Sequence, residues 1–89
     1  MNEQLQPLRE HIDRIDHQLL LLLSERMEHV VQIGNIKKHL NMEALQSSRW
    51  QEVLSDRETA GQELGLSTGL VHAIWESIHA EALKIEENI

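Results

Sequence analysis

Between Leu5 and Ile36 apolar residues return every three or four positions: Leu5, Leu8, Ile12, Ile15, Leu19, Leu22, Ile33 and Ile36. That period is a stripe along one face of a helix and not the alternation of a strand. The spacing predicts one unbroken helix from about Gln6 to His39, with Pro7 in the first turn, where proline is tolerated. Two places in the seam are polar. Arg26 follows Leu19 by a heptad, and His29 follows Leu22 by a heptad. A permanent cation in a buried seam is costly unless an anion pairs with it. Lys37 comes eleven residues after Arg26, and eleven steps of 100° return it to within about 20° of the same face. Gly34, between them, removes side-chain bulk and lets something lie against the backbone. A cationic slot between Arg26 and Lys37 is the first functional candidate.

Length makes the second point. A helix of about 34 residues is about 50 Å long. A compact domain of this size is only about 30 Å across. The far half of the helix then exposes leucines and isoleucines unless a second chain covers them. The expectation is an intertwined, two-fold dimer with the long helices antiparallel. The alternative is a monomeric bundle broken near Gly34.

The remaining chain fits an all-α protomer of three helices within a single domain, residues 1–89. Lys37, Lys38 and His39 suit a helix C-terminus. Asn41 to Ser48 reads as a loop. Ser48 and Gln51 form a capping-box pattern with Arg49 at the first helical position. Trp50, Val53, Leu54 and Leu64 suggest a second helix of about 14 residues, ended by Gly61 and Gly65. Ser67 caps a third helix, whose stripe is Leu70, Val71, Ile74, Ile78, Ala82 and Ile85. Trp75 belongs to that stripe, and with Trp50 it supplies all the Phe, Trp and Tyr in the chain.

Composition narrows the function. The formal net charge is −7, which disfavours nucleic acid, because phosphate binding needs a basic surface. There is no cysteine, so neither a disulfide framework nor a thiolate metal site is expected. Met1 to Gln6 is polar and reads as no signal peptide. The run Leu19–Leu23 is too short to span a bilayer. A cytoplasmic protein with no membrane partner is expected. The six histidines (His11, His17, His29, His39, His72, His79) read as structural or surface groups. His72 and His79 share a helix face two turns apart, which is not the one-turn spacing that clasps zinc. No metal is expected. His29 is expected to be partly buried beside the slot, and Glu58, Glu63, Glu76, Glu81 and Glu87 to be solvated.

Several stretches together carry a family likeness. They are Leu8-Arg9-Glu10-His11-Ile12-Asp13-Arg14-Ile15-Asp16, Leu22-Leu23-Ser24-Glu25-Arg26-Met27 and Ile33-Gly34-Asn35-Ile36-Lys37. Arg49 with Glu52-Val53-Leu54, then Gly65-Leu66-Ser67, then Ile74-Trp75-Glu76-Ser77-Ile78-His79-Ala80-Glu81-Ala82 complete the set. In order and spacing the chain resembles the all-helical class of chorismate mutase. The resemblance implies a three-helix protomer and an intertwined homodimer with two sites shared between chains. It also implies the rearrangement of chorismate to prephenate in aromatic amino acid biosynthesis, without cofactor or metal.

The resemblance further implies roles. Arg26 and, from the partner chain, Arg9 would bind substrate carboxylates. Within one chain Arg9 lies about 25 Å along the helix from Arg26, on another face. The residue-level alternative for Arg9 is a solvated pair with Asp13. Lys37 would contact a carboxylate and the ether oxygen whose bond breaks. Arg49 would support the same anionic end, and Ala82 would line the pocket. Glu86 falls where a donor to the ether oxygen is expected. It must carry a proton to donate, so activity should rise toward acid pH. These residue types suit the chemistry. Guanidinium groups recognise carboxylates bidentately. A unimolecular rearrangement needs a held conformer and cations near the developing charge. Gln46 and Trp50 stand where the family's mutases usually carry acids that hold the ring hydroxyl. Gln46 can still bond a hydroxyl, whereas Trp50 can only donate. Related isochorismate pyruvate lyases share the fold and cations and lack those acids. A lyase, a mutase of a relative such as 4-amino-4-deoxychorismate, and a non-catalytic helical dimerisation or regulatory module are the alternatives.

Overall fold

The computed structural model describes residues 3–89. Met1 and Asn2, the start of the polar segment noted above, lie outside the described residues. Three helices follow one another: α1 (Leu5–His39), α2 (Ser47–Glu63) and α3 (Thr68–Glu87). Among the described residues there is no strand, and no helix is long and apolar enough to cross a membrane. α1 runs through Gly34 without a break, which removes the broken-bundle alternative. Pro7 sits in its first turn, where a backbone N–H has no intrahelical partner to lose.

Both helix-to-helix links use the same backbone device. After α1, Asn41 N–H donates to Lys38 O at 3.2 Å and Met42 N–H to Lys37 O at 2.8 Å. Asn41 takes a left-handed φ of 55° to allow it. After α2, Gly65 N–H donates to Gln62 O at 3.0 Å and Leu66 N–H to Gly61 O at 2.9 Å, with Gly65 at φ 81°. These paired bonds are the Schellman closure, which satisfies carbonyls that a helix end leaves unpaired. Ser67 caps α3 as expected, its Oγ accepting from Leu70 N–H at 3.1 Å.

Two boundaries differ from the sequence reading. Ser48 is not the cap of α2. Gln46, in extended conformation, already accepts Trp50 N–H on its carbonyl at 2.9 Å, so the helix begins at Ser47. Gly61 does not end α2, which runs 17 residues to Glu63. Gly61 is instead a buried contact point, where an added Cβ would come within 2.6 Å of Val71 Cγ2 on α3.

α3 packs against both α1 and α2. The interior is small: Val30, Val53, Val71, Ile78 and Ala82 are the buried apolar side chains. Burial on α1 is confined to the face of Arg26, Met27, Val30, Gly34 and Lys37. The long stripe is elsewhere. Leu8, Ile12, Ile15, Leu19 and Leu22 are each more than half exposed. Leu70 and Ile74 of the expected α3 stripe are also exposed, because they lie about 100° around the helix from Val71 and Trp75, beyond both neighbouring helices. Leu64, read as part of the second helix, is its C-cap and is 79% exposed. The protomer is accordingly elongated, 58 × 24 × 15 Å, with a radius of gyration of 16.7 Å. A compact chain of this length has about 12 Å.

Candidate active site

Where α3 crosses the C-terminal third of α1, the three helices and the first link enclose an open cleft of about 260 Å³. α1 lines it with Arg26, Val30, Ile33 and Lys37, and the link with Ala44 and Gln46. α2 adds Arg49, Trp50 and Val53. α3 adds Trp75, His79, Ala82, Leu83 and Glu86. Seven of the eight residues singled out from sequence therefore share one cleft. Arg9 does not. It is exposed on the far half of α1 and forms no ion pair with a described residue, Asp13 included.

Helical spacing explains the gathering. Arg26, Val30 and Lys37 recur at four and seven residues on one face, as Trp75, His79, Ala82 and Glu86 do on α3. Gly34 lets the two helices close: a Cβ there would meet Ile89 Cδ1 at 2.5 Å and Glu86 Cα at 3.3 Å. The slot inferred beside Gly34 is thus filled by the end of α3. That approach delivers Glu86 to Lys37.

Lys37 Nζ donates to Glu86 Oε1 and to the Ala44 carbonyl, each at 2.6 Å. The pair is mostly buried, with the lysine 17% and the glutamate 9% exposed. One of the three ammonium protons is left for a ligand. Glu86 Oε2 has no hydrogen-bond partner among the described residues. Gln46 Nε2 donates to Glu43 O at 2.8 Å, leaving its side-chain oxygen uncommitted. Arg49 pairs with Glu52 through Nη1, both well exposed.

Arg26 is half-buried. Burial lowers its guanidinium pKa from the usual value, and the positive charges of Arg57 and Arg49 lower it further. A guanidinium stays charged at neutral pH regardless. Arg49 and Arg57 each have an acid of their own, Glu52 and Asp56, whereas Arg26 has no ion-pair partner among the described residues, so this end of the cleft is a place where an anion relieves repulsion. Arg57, paired with Asp56 at 2.6 Å, was not foreseen in this role.

Two further features escaped the sequence reading. Trp50 and His79 stack face to face, ring centroids 3.8 Å apart and planes within 7°. The sequence alone marks His79 as structural or surface, although it stands three residues before Ala82 and seven before Glu86 on their face. Burial, with Lys37 and Arg26 assisting, pushes its pKa below the usual histidine value against the pull of Glu76 and Glu86. Trp75 Nε1 is buried without a partner among the described residues. His29, expected beside the slot, is exposed, because α3 packs on the neighbouring face of Arg26 and Val30. Among the described residues no group of His, Asp or Glu is arranged to hold a metal ion. His72 instead meets Glu58 at 2.8 Å and Glu76 at 3.2 Å.

The described residues thus form an all-helical unit with a cationic cleft. A family model described as chorismate mutase type II matches residues 8–87. The chain belongs to that family. It is 27% identical over 88 residues to the T-protein of Enterobacter agglomerans. The alignment takes in 99% of this chain and 24% of the relative, so the chain spans about a quarter of that protein's length. No solved structure matches.

Proposed function

We propose that the chain is a chorismate mutase that rearranges chorismate to prephenate in one unimolecular step. The observation that carries this reading is the convergence of Arg26, Lys37, Arg49 and Glu86, from three helices, on one cleft. Arg26 and Arg49 bind carboxylates of the dianion, since planar guanidinium forks match them. Lys37 sets its remaining N–H at the ether oxygen, where negative charge grows as the C–O bond breaks. Glu86, with Lys37 on Oε1, donates to the same oxygen when Oε2 is protonated. Val30, Ile33, Val53 and Leu83 give the cleft apolar walls that hold the compact reactive conformer. Ala82 leaves room for it. Gln46 offers its free oxygen to the ring hydroxyl, and Trp50 walls that side.

The site is completed by a second copy of the chain in an antiparallel homodimer, whose α1 brings Arg9. Support comes from the exposed stripe Leu8, Ile12, Ile15, Leu19 and Leu22, a patch too large for a lone protomer to leave in water.

One observation favours a second reading. Among the described residues Glu86 is the only carboxyl lining the cleft, so the acids that hold the ring hydroxyl are missing, as they are in isochorismate pyruvate lyases. An absorbance assay with chorismate and isochorismate side by side separates the readings. Prephenate from chorismate supports the mutase, and pyruvate from isochorismate supports the lyase. Turnover of neither by an intact dimer supports a non-catalytic module and sinks both.

A further inference from the structure

One wall of the cleft is made by the stacked rings of Trp50 of α2 and His79 of α3. Stacking fixes the plane of the imidazole and leaves both ring nitrogens on its edge. Neither nitrogen has a hydrogen-bond partner among the described residues. The charged groups around the ring are Arg26 and Lys37 from α1, Glu76 and Glu86 on its own helix, and Arg49 from α2. Burial first, then Lys37 and Arg26, favour the neutral imidazole against the pull of Glu76 and Glu86. A neutral imidazole carries one donor and one acceptor. It therefore suits a hydroxyl, which can give and take a hydrogen bond. A ligand ammonium has a different prospect. Glu86, the one lining carboxyl, is held by Lys37, and the other charged lining groups are cations.

Resting on the mutase reading above, we propose that His79 is a specificity-determining residue that reads the ring substituent of the dicarboxylate. It pairs with a ring hydroxyl and, together with the surrounding cations, rejects an ammonium at the same position. Trp50 is the positioning residue that holds the imidazole edge toward the ligand.

The test crosses residue with substituent. Wild type, His79→Phe and His79→Gln are assayed on chorismate, on the analogue lacking the ring hydroxyl, and on the ring-amine analogue, with helix content checked by circular dichroism. His79→Phe keeps the stack and deletes both nitrogens. Its kcat/KM on chorismate falls about five- to tenfold, the worth of one neutral hydrogen bond. On the deoxy analogue it stays within about twofold of wild type, and His79→Gln restores most of the loss on chorismate. Wild type prefers hydroxyl to amine by about tenfold or more. Equal losses on the hydroxyl and deoxy substrates overturn the proposal, as does a wild type indifferent to the amine. Should His79→Phe not fold, His79→Leu carries the same comparison. If wild type turns over none of the three, the mutase reading fails instead, and calorimetric binding of the three ligands decides on His79 by the same pattern.

Discussion

Glu86 lies directly over Gly34: a Cβ added to the glycine would stand 3.2 Å from Glu86 Cγ and 3.3 Å from its Cα. The same crossing carries the carboxylate to Lys37, three residues further along α1. Gly34→Ala gains about 1 kcal/mol of helix propensity. It must also push Glu86 and the flexible tip of Ile89 outward, which costs about as much or more. We expect little net change in thermal stability but a several-fold fall in turnover, because the Lys37–Glu86 geometry moves. Melting by circular dichroism and steady-state kinetics on the same sample check it. Unchanged kinetics would show that the crossing does not set the site.

Gly61→Ala should do the opposite. Its Cβ would meet Val71 Cγ2 at 2.6 Å, and Val71 is stiff and only 3% exposed. Overpacking of this kind costs about 1–3 kcal/mol. We expect a lower melting temperature, with kcat nearly unchanged at temperatures where the variant is folded.

Glu86→Gln tests the proton donor. The amide oxygen still accepts from Lys37, and the amide N–H donates at any pH. Wild-type activity should rise from neutral toward acid pH, and the variant's profile should be flatter. Rates across that range in both proteins decide it, and parallel profiles remove Glu86 from the mechanism.

Two histidines set opposite pH dependences of stability. His72 is raised above its usual value of 6.5, chiefly by its hydrogen bond to Glu58, which ties α3 to α2. A raised group stabilises fully below its unfolded value, and that support is lost as pH rises through the folded value. His79 is lowered, mainly by burial. Its unfolded form takes up a proton first, so stability falls as pH drops below about 6.5. His72→Ala should flatten the alkaline decline of the melting temperature, modestly since the pair is exposed. His79→Phe should flatten the acid decline.

The contribution of Arg9 can be tested by complementation. Arg9→Ala and Arg26→Ala should each be nearly inactive. Refolded together in equal amounts, they should recover about a quarter of wild-type activity, because half the dimers are mixed and each mixed dimer has one intact site. No recovery, with mixed dimers present by native mass spectrometry, would exclude a site shared between chains.

Much of this arrangement was legible in the residues, for identifiable reasons. Arg26 and Lys37 announced themselves by breaking or rejoining a helical stripe, and Gly34 by its place between them. Helix ends were legible where a single residue carries the cap, as at Ser67 and Gly65. The sequence did not separate the two faces of α1. The stripe Leu8 to Leu22 marks an apolar surface, yet the face that packs on α3 is the less conspicuous one of Met27, Val30 and Gly34. The same ambiguity put His29 inside and left His79 out. Gly61 was misread because a glycine near a helix end suits either a stop signal or a close crossing, and only the partner Val71 tells which.

The smallness of the interior has a practical consequence. Five modest side chains are thin insulation for an 89-residue chain. If helical intertwining of two copies supplies the rest, association and folding become a single event, and dilution itself acts as a denaturant. Specific activity should then drop with falling enzyme concentration, and recover on concentrating the sample again.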